Sequence, residues 1–133
     1  MKKEEKDLLL KDLCGRLTYG VKVKFGDSKP ALLTVIERDE FGWQIGSEDE
    51  FGGMITIIDN VKPYLFPMSS MTKEQKEEFN TQSLKLQLQV IDEEIMYEKA
   101  TEFEVDFYNK HHLDWRGLIP KGLAIDATGL NIY

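Results

Sequence analysis

The sequence predicts an α+β protein with an N-terminal helix, a small antiparallel SH3-like β-barrel or bent sheet, and C-terminal helices. Two observations predict this order. Apolar residues recur at helical spacing over residues 1–17, and at strand spacing in short runs over residues 18–66. Those runs are separated by turn residues about every ten positions, as in small barrels. Residues 67–133 are mainly helical in pattern, and the length of 133 residues fits a single domain.

The first element is predicted to be an amphipathic helix over residues 4–14. Its apolar stripe consists of five residues at helical spacing, namely Leu9, Leu10, Leu13, Cys14 and Leu17. Gly15 is predicted to end the helix as a left-handed cap. Because Cys14 lies in the stripe, we expect it to be a buried small hydrophobe and not a nucleophile.

The β-rich stretch is predicted to contain five extended segments. Val21, Val23 and Phe25 alternate with lysines, which is typical of a half-buried strand. The other segments are β-branched or aromatic runs between glycine and aspartate turns, at residues 32–36, 42–46, 54–58 and 61–66. Pro63 cannot donate a ladder hydrogen bond, so the last segment is expected at a sheet edge.

The second half begins with a clear helix signal. Thr72 and Gln75 form a capping box ahead of a helix predicted over residues 73–80. Residues 81–100 fit both a strand and a helix by periodicity, and their leucines, lysines and glutamines favour helix by propensity. A further helix is predicted over residues 101–112, turns over 113–122 and a last strand over 123–125. Residues 128–133 are expected to be loosely held.

Charge and composition argue against several classes of partner. The net charge is −7, and no segment carries the clustered basic face that binds nucleic acid or an anionic membrane. The single cysteine excludes an intramolecular disulfide. No apolar run has the length of a signal-peptide core or a membrane span, so we expect a cytoplasmic protein.

The densest group of chemically capable side chains is the segment HHLDWR at residues 111–116. Adjacent histidines on a helix point about 100° apart, whereas zinc-binding pairs are spaced i, i+4, so a metal site is not predicted. We expect a histidine at the helix end to interact with the helix dipole, and Asp114 to cap the following turn. Arg116 is expected to be its ion-pair partner and Trp115 to be buried. No catalytic residue, metal ligand or cofactor is predicted.

Three stretches carry a resemblance to a known family. They are KDLLLKDLCGRLTYGVKV at residues 6–23, VKPYLFPMSSMT at 61–72 and NKHHLDWRGLIPKGLA at 109–124. Together they resemble a family of short, uncharacterised proteins from Bacteroides-type gut bacteria and their phages and mobile elements. The resemblance implies a cytoplasmic accessory protein without catalytic residues. It also implies that the motif His-His-x-Asp-aromatic-Arg-Gly, at residues 111–117, is either a fold signature or a contact site.

The leading functional hypothesis is a small acidic accessory protein that binds another protein. Because Trp and Arg are enriched at binding hot spots, the predicted contact residues are His112, Trp115 and Arg116. One alternative is a metal-assisted or hydrolytic enzyme that uses residues 111–114. A second alternative is an acidic mimic of nucleic acid that occupies a DNA-binding protein.

Overall fold

The computed structural model describes residues 1–49, 52–89 and 93–133, and within them the protein is α+β, as predicted. The helices are α1 (Lys3–Arg16), α2 (Lys73–Gln89) and α3 (Glu93–Lys110). The strands are β1 (Lys22–Phe25), β2 (Ala31–Asp39), β3 (Gly42–Asp49), β4 (Gly52–Ile57), β5 (Val61–Leu65) and β6 (Ile125–Asp126).

The six strands form one open sheet in the order β4-β3-β2-β1-β5-β6. All neighbours are antiparallel except β5 and β6, which are parallel. The two outer strands, β4 and β6, do not pair with each other, so the predicted SH3-like barrel is not confirmed and the sheet stays open. The expected edge position of the segment at residues 61–66 is wrong, because β5 lies between β1 and β6. Pro63 is tolerated there because it lies outside the two positions that pair with β6, Tyr64 and Leu65.

The prediction that Gly15 ends helix α1 is wrong, because the helix continues past this residue. The helix ends at Arg16, a short 3-10 turn follows, and the left-handed residue is Gly20, at φ 74°. Gly15 instead allows a close approach, because its carbonyl accepts a hydrogen bond from the Asn109 side chain. A Cβ at Gly15 would lie 3.2 Å from the Asn109 nitrogen.

The buried face of α1 also differs from the predicted stripe. Its buried residues are Leu9, Asp12, Leu13 and Arg16, whereas Cys14 is exposed. The prediction for Cys14 is therefore wrong. Two charged residues take the inward positions because each finds a partner inside the fold.

A single hydrophobic cluster connects α1, the sheet and the turns near the C-terminus. Its fully buried members include Leu9 and Leu13 of α1, Val21 and Val23 around β1, and Leu118 of the turns. Alternate residues of β1 point into this cluster, as the alternation of valine and lysine predicted.

Helices α2 and α3 pack against each other through aromatic rings. Phe79 of α2 contacts Phe103, Phe107 and Tyr108 of α3, at centroid distances of 5.2–5.9 Å. The predicted capping box is confirmed by two hydrogen bonds between Thr72 and the residue three positions later. Helix is also confirmed for residues 81–89 and 93–100; residues 90–92 of this stretch lie outside the described part of the chain.

Candidate functional site

Residues 111–117 directly follow α3, and their backbone is hydrogen-bonded to Phe66, the residue after β5. Phe66 donates its backbone N–H to the carbonyl of His112, over 2.8 Å, and accepts one from Asp114 at the same distance. His112 has φ 57°, which is uncommon for a residue with a side chain. The segment is therefore held by backbone hydrogen bonds in a single, locally strained shape.

Asp114 is buried and caps the turn that follows, as predicted. Its two carboxylate oxygens accept the backbone N–H groups of Leu118 and Ile119, at 2.7 and 2.9 Å. The carboxylate thus satisfies two donors that the turn would otherwise leave unpaired.

Trp115 is half-buried, whereas it was predicted to be buried. Its indole N–H donates to the side-chain oxygen of Asn109 over 3.0 Å. The guanidinium of Arg116 lies over the indole, 4.1 Å from the ring centroid, in a cation–π contact.

An ion pair between α1 residues lies beneath this segment, with both side chains fully buried. Arg16 Nε donates to Asp12 Oδ2 over 2.8 Å, and Arg16 Nη2 donates to the backbone oxygen of Leu113 over 2.6 Å. Arg116 Nε lies 3.5 Å from Asp12 Oδ1, so the described ion pair of Arg116 is with Asp12 and not with Asp114. Burial raises the pKa of Asp12, and the Arg16 guanidinium opposes that rise.

The imidazole of His112 stacks on the ring of Tyr133, with centroids 3.8 Å apart and planes 13° apart. Burial, reinforced by the nearby Arg16 charge, lowers the pKa of His112 to about 4. The Tyr133 hydroxyl donates to the backbone oxygen of Tyr64 over 2.7 Å and accepts the N–H of Lys22 over 2.9 Å.

The expectation of a loosely held C-terminal segment is therefore wrong. Lys22 Nζ also donates to the carbonyl of Ile132. Burial raises the pKa of the Tyr133 phenol to about 12. Residues 132 and 133 are tied to the first and fifth strands by hydrogen bonds that sequence periodicity does not show.

His111 lines a cleft of about 240 Å³ beside the start of α2. Its Nε2 atom lies 3.7 Å from Glu78, its ring packs on Phe107 at 4.5 Å, and burial lowers its pKa. Two hydroxyls that line the cleft have protein partners: Ser70 donates to the carbonyl of Pro67 and Thr72 caps α2. Among the described residues, no group of three or more His, Cys, Asp or Glu side chains could hold a metal ion.

The structure thus brings the three predicted contact residues into one cluster and gives each an internal partner. His112 stacks on Tyr133, Trp115 bonds Asn109, and Arg116 pairs with Asp12. Sequence reasoning missed the buried partners from α1, because charged residues on a helix stripe are normally assigned to solvent.

A second surface lies on strands β3 and β4 and on the turn between β2 and β3. Four large apolar side chains there are exposed, and we call them the apolar patch: Phe41 (79%), Trp43 (38%), Ile55 (55%) and Ile57 (44%). By strand register, Trp43 faces the same side of the sheet as Ile45, and Ile55 and Ile57 face the other side. Phe41, Trp43 and Ile57 line a shared cleft of about 260 Å³, which Leu10 of α1 closes on one side. Trp43 also carries the guanidinium of Arg38 over its ring, at 5.9 Å.

The surroundings of the apolar patch are acidic on the side of β2 and carry basic residues on the side of α1, where Lys3 and Lys6 line the cleft and Lys6 pairs with Asp59 at 3.3 Å. Residues 37–59 contain seven acidic side chains and one basic one, a net charge of −6. Glu37, Asp39 and Glu40 are exposed on β2 and its turn. The sequence signal that could have found this surface is the alternation of Ile55 and Ile57 in a stretch without charge between two acidic ones.

Comparison with known proteins adds no relative: no family model, no curated protein and no solved structure matches the chain. The resemblance to the Bacteroides-type family stays a prediction. None of the helices within the described residues combines the length and apolarity needed to cross a membrane.

Proposed function

We propose that the protein is a cytoplasmic accessory protein that acts by binding another protein. The observation that supports this most directly is the exposed apolar patch, which is bordered by charged residues of β2 and α1. Exposed apolar patches rimmed by polar residues mark interaction sites, and aromatic residues are enriched in the centres of such interfaces. Trp43 and Phe41 supply those aromatic groups.

The apolar patch is not explained by the stability of the fold. Phe41 is 79% exposed and lies in the turn between β2 and β3, outside the hydrophobic cluster. Ile55 and Ile57 lie on the outer strand, facing away from buried Ile45 on the neighbouring strand. Large apolar side chains at such positions contribute little to folding and much to association.

A pull-down from nuclease-treated lysate of the host organism tests this proposal. We expect the wild-type chain to retain one stoichiometric protein and Phe41→Ala to lose it, without a change in melting temperature. Leu84→Ala, which removes an equally apolar exposed side chain from α2, serves as the matched control and should retain the partner. Failure of the wild-type chain to retain any stoichiometric protein would contradict the proposal.

The cluster of His112, Trp115 and Arg116 is the second proposed contact. The half-exposed indole with its stacked guanidinium supports it, since Trp and Arg dominate binding hot spots. Trp115→Ala should weaken retention of the partner while the protein stays folded. A large fall in melting temperature would instead show that Trp115 acts in the packing of α3 against α1.

A second candidate function, mimicry of nucleic acid, is favoured by the net charge of −6 over residues 37–59. It predicts that the retained partner binds DNA, that DNA competes with the protein, and that binding is lost at high salt. The enzyme alternative at residues 111–114 stays a prediction. Metal analysis of protein purified without chelators or a histidine tag checks it.

A further inference from the structure

Strand β4 is the outermost strand on one side of the open sheet, and no other described strand pairs with its outer edge. Natural sheets protect such edges with charge, proline or very short strands. The opposite edge follows this rule, because β6 has only two residues. Strand β4 does not: its six residues, GGMITI, contain neither a charge nor a proline. Its outward backbone N–H and C=O groups are thus available to another strand.

The face of this edge is apolar and open. Ile55 lies opposite Gly46 and Ile57 lies opposite Gln44, so these four residues share one face. Gly46 is buried and contributes no side chain beside Ile55. An added strand would find backbone partners along β4 and apolar contacts at alternate positions of its own.

The charge around the edge defines which strand fits. Glu37 of β2 lies in register with Gln44 and Ile57, so its exposed carboxylate shares their face, as does that of Asp39 two positions later. Asp59, which follows β4, pairs with Lys6. The only basic residue over residues 37–59 is Arg38, which lies over Trp43. Lysine or arginine side chains on an incoming strand would therefore meet a field of opposite sign.

Resting on the proposed function, we infer that β4 binds an extended segment of a partner protein in which basic residues alternate with apolar ones. The mode is strand addition, in which backbone hydrogen bonds supply affinity and alternate side chains supply specificity. A second copy of this chain is the poorer occupant, because pairing β4 with itself would bring two regions of charge −6 together.

The test uses the full-length protein and a short labelled peptide that alternates lysine with valine. We expect it to bind at least about ten-fold more tightly than a peptide of equal length that alternates glutamate with valine. A lysine–valine peptide with an N-methylated backbone should bind weakly, because it cannot donate ladder hydrogen bonds. Binding of the first peptide should also protect the amides of β4 from hydrogen exchange.

Two pairs of variants locate the site. Ile57→Lys should weaken peptide binding about ten-fold or more, whereas Leu84→Lys, at a similarly exposed apolar position on α2, should not. Glu37→Gln should weaken binding by about two- to three-fold, whereas Glu102→Gln, an exposed position on α3, should have no effect.

Three results would overturn the inference: equal binding of the N-methylated peptide, no protection of β4, or full binding by Ile57→Lys. A dimer of the protein that Ile57→Lys abolishes would identify a second copy as the occupant and equally reject the basic partner. If the host partner is retained by both wild type and Ile57→Lys, the proposed function stands and strand addition fails. If wild type retains no partner, the proposed function itself fails.

Discussion

The stacked pair of His112 and Tyr133 should make the stability of the protein depend on pH. His112 has an ordinary pKa of 6.5 in the unfolded chain and a pKa of about 4 in the folded one. Between these values the unfolded chain binds more protons, so the free energy of unfolding should fall as the pH falls. The stabilising contribution is present above pH 6.5 and is lost as the pH falls through about 4.

The magnitude follows from the two pKa values. One pKa unit corresponds to about 1.36 kcal/mol, so the full difference corresponds to about 3.4 kcal/mol. Because His112 is only half-buried, solvent screens part of this interaction. We expect a loss of about 2 kcal/mol on going from pH 7.5 to pH 4.5. The neighbouring charges that act on His112 are those of Arg16, Lys22 and His111.

The assay compares urea unfolding of wild type and His112→Asn across this pH range. Asparagine accepts positive φ, so the variant removes the titrating ring with little backbone strain. The stability gap between the two proteins should narrow by about 2 kcal/mol on acidification. A proton NMR titration of the two histidines measures the pKa directly. A gap that stays constant, or His112 titrating near 6.5, would refute the reasoning.

Three further predictions concern the buried ion pair, the cap of α2 and the hydrogen bond of Trp115. Asp12→Ala leaves the Arg16 guanidinium buried without a carboxylate and should lower the free energy of unfolding by about 3–5 kcal/mol. The double replacement Asp12→Ala, Arg16→Met should recover most of that loss. A loss under about 1 kcal/mol in Asp12→Ala would contradict the burial of the ion pair. Thr72→Ala should cost about 1 kcal/mol through loss of the α2 cap, and Thr72→Ser should not. Trp115→Phe should cost about 1 kcal/mol by leaving Asn109 Oδ1 without its donor, and Trp115→Phe in an Asn109→Ala background should cost clearly less. Urea unfolding at pH 7.5 measures all three.

The sequence predicted elements well where periodicity and turn chemistry agree. The alternation in β1 and the capping box of α2 were both confirmed, because each signal depends on residues close together in the chain. The prediction of helix for residues 81–89 was also confirmed, because the helix propensity of the residues decides the structure of a segment where packing does not.

The errors fall where distant contacts decide. The burial of Asp12 and Arg16 depends on Leu113 and Arg116, about a hundred positions away, and no local pattern contains that information. The same cause explains the misjudged Gly15, whose helical conformation accompanies a contact with Asn109. The predicted barrel is not confirmed, because the spacing of strands along the sequence indicates how many strands there are and not whether the two outer strands pair.

The candidate site was predicted in part. Asp114 caps its turn as expected, whereas the partner of Arg116 comes from α1 and that of His112 from the C-terminal residue of the sequence. The apolar patch was not predicted at all. Trp43, Ile55 and Ile57 have the pattern of ordinary strand residues, and only the strand order shows that no described strand pairs with the outer edge of β4.

The hydrogen bond from Arg16 to the carbonyl of Leu113 joins residues 97 positions apart, and it sets a delay during protein synthesis. At about 5–20 residues per second, the ribosome needs roughly 5–20 s to add the chain between them. Through that interval the leucines of α1 have no complete docking surface, and a helix of this length is marginal alone in water. The nascent helix α1 is therefore exposed to chaperones and proteases until the segment around Leu113 has been made.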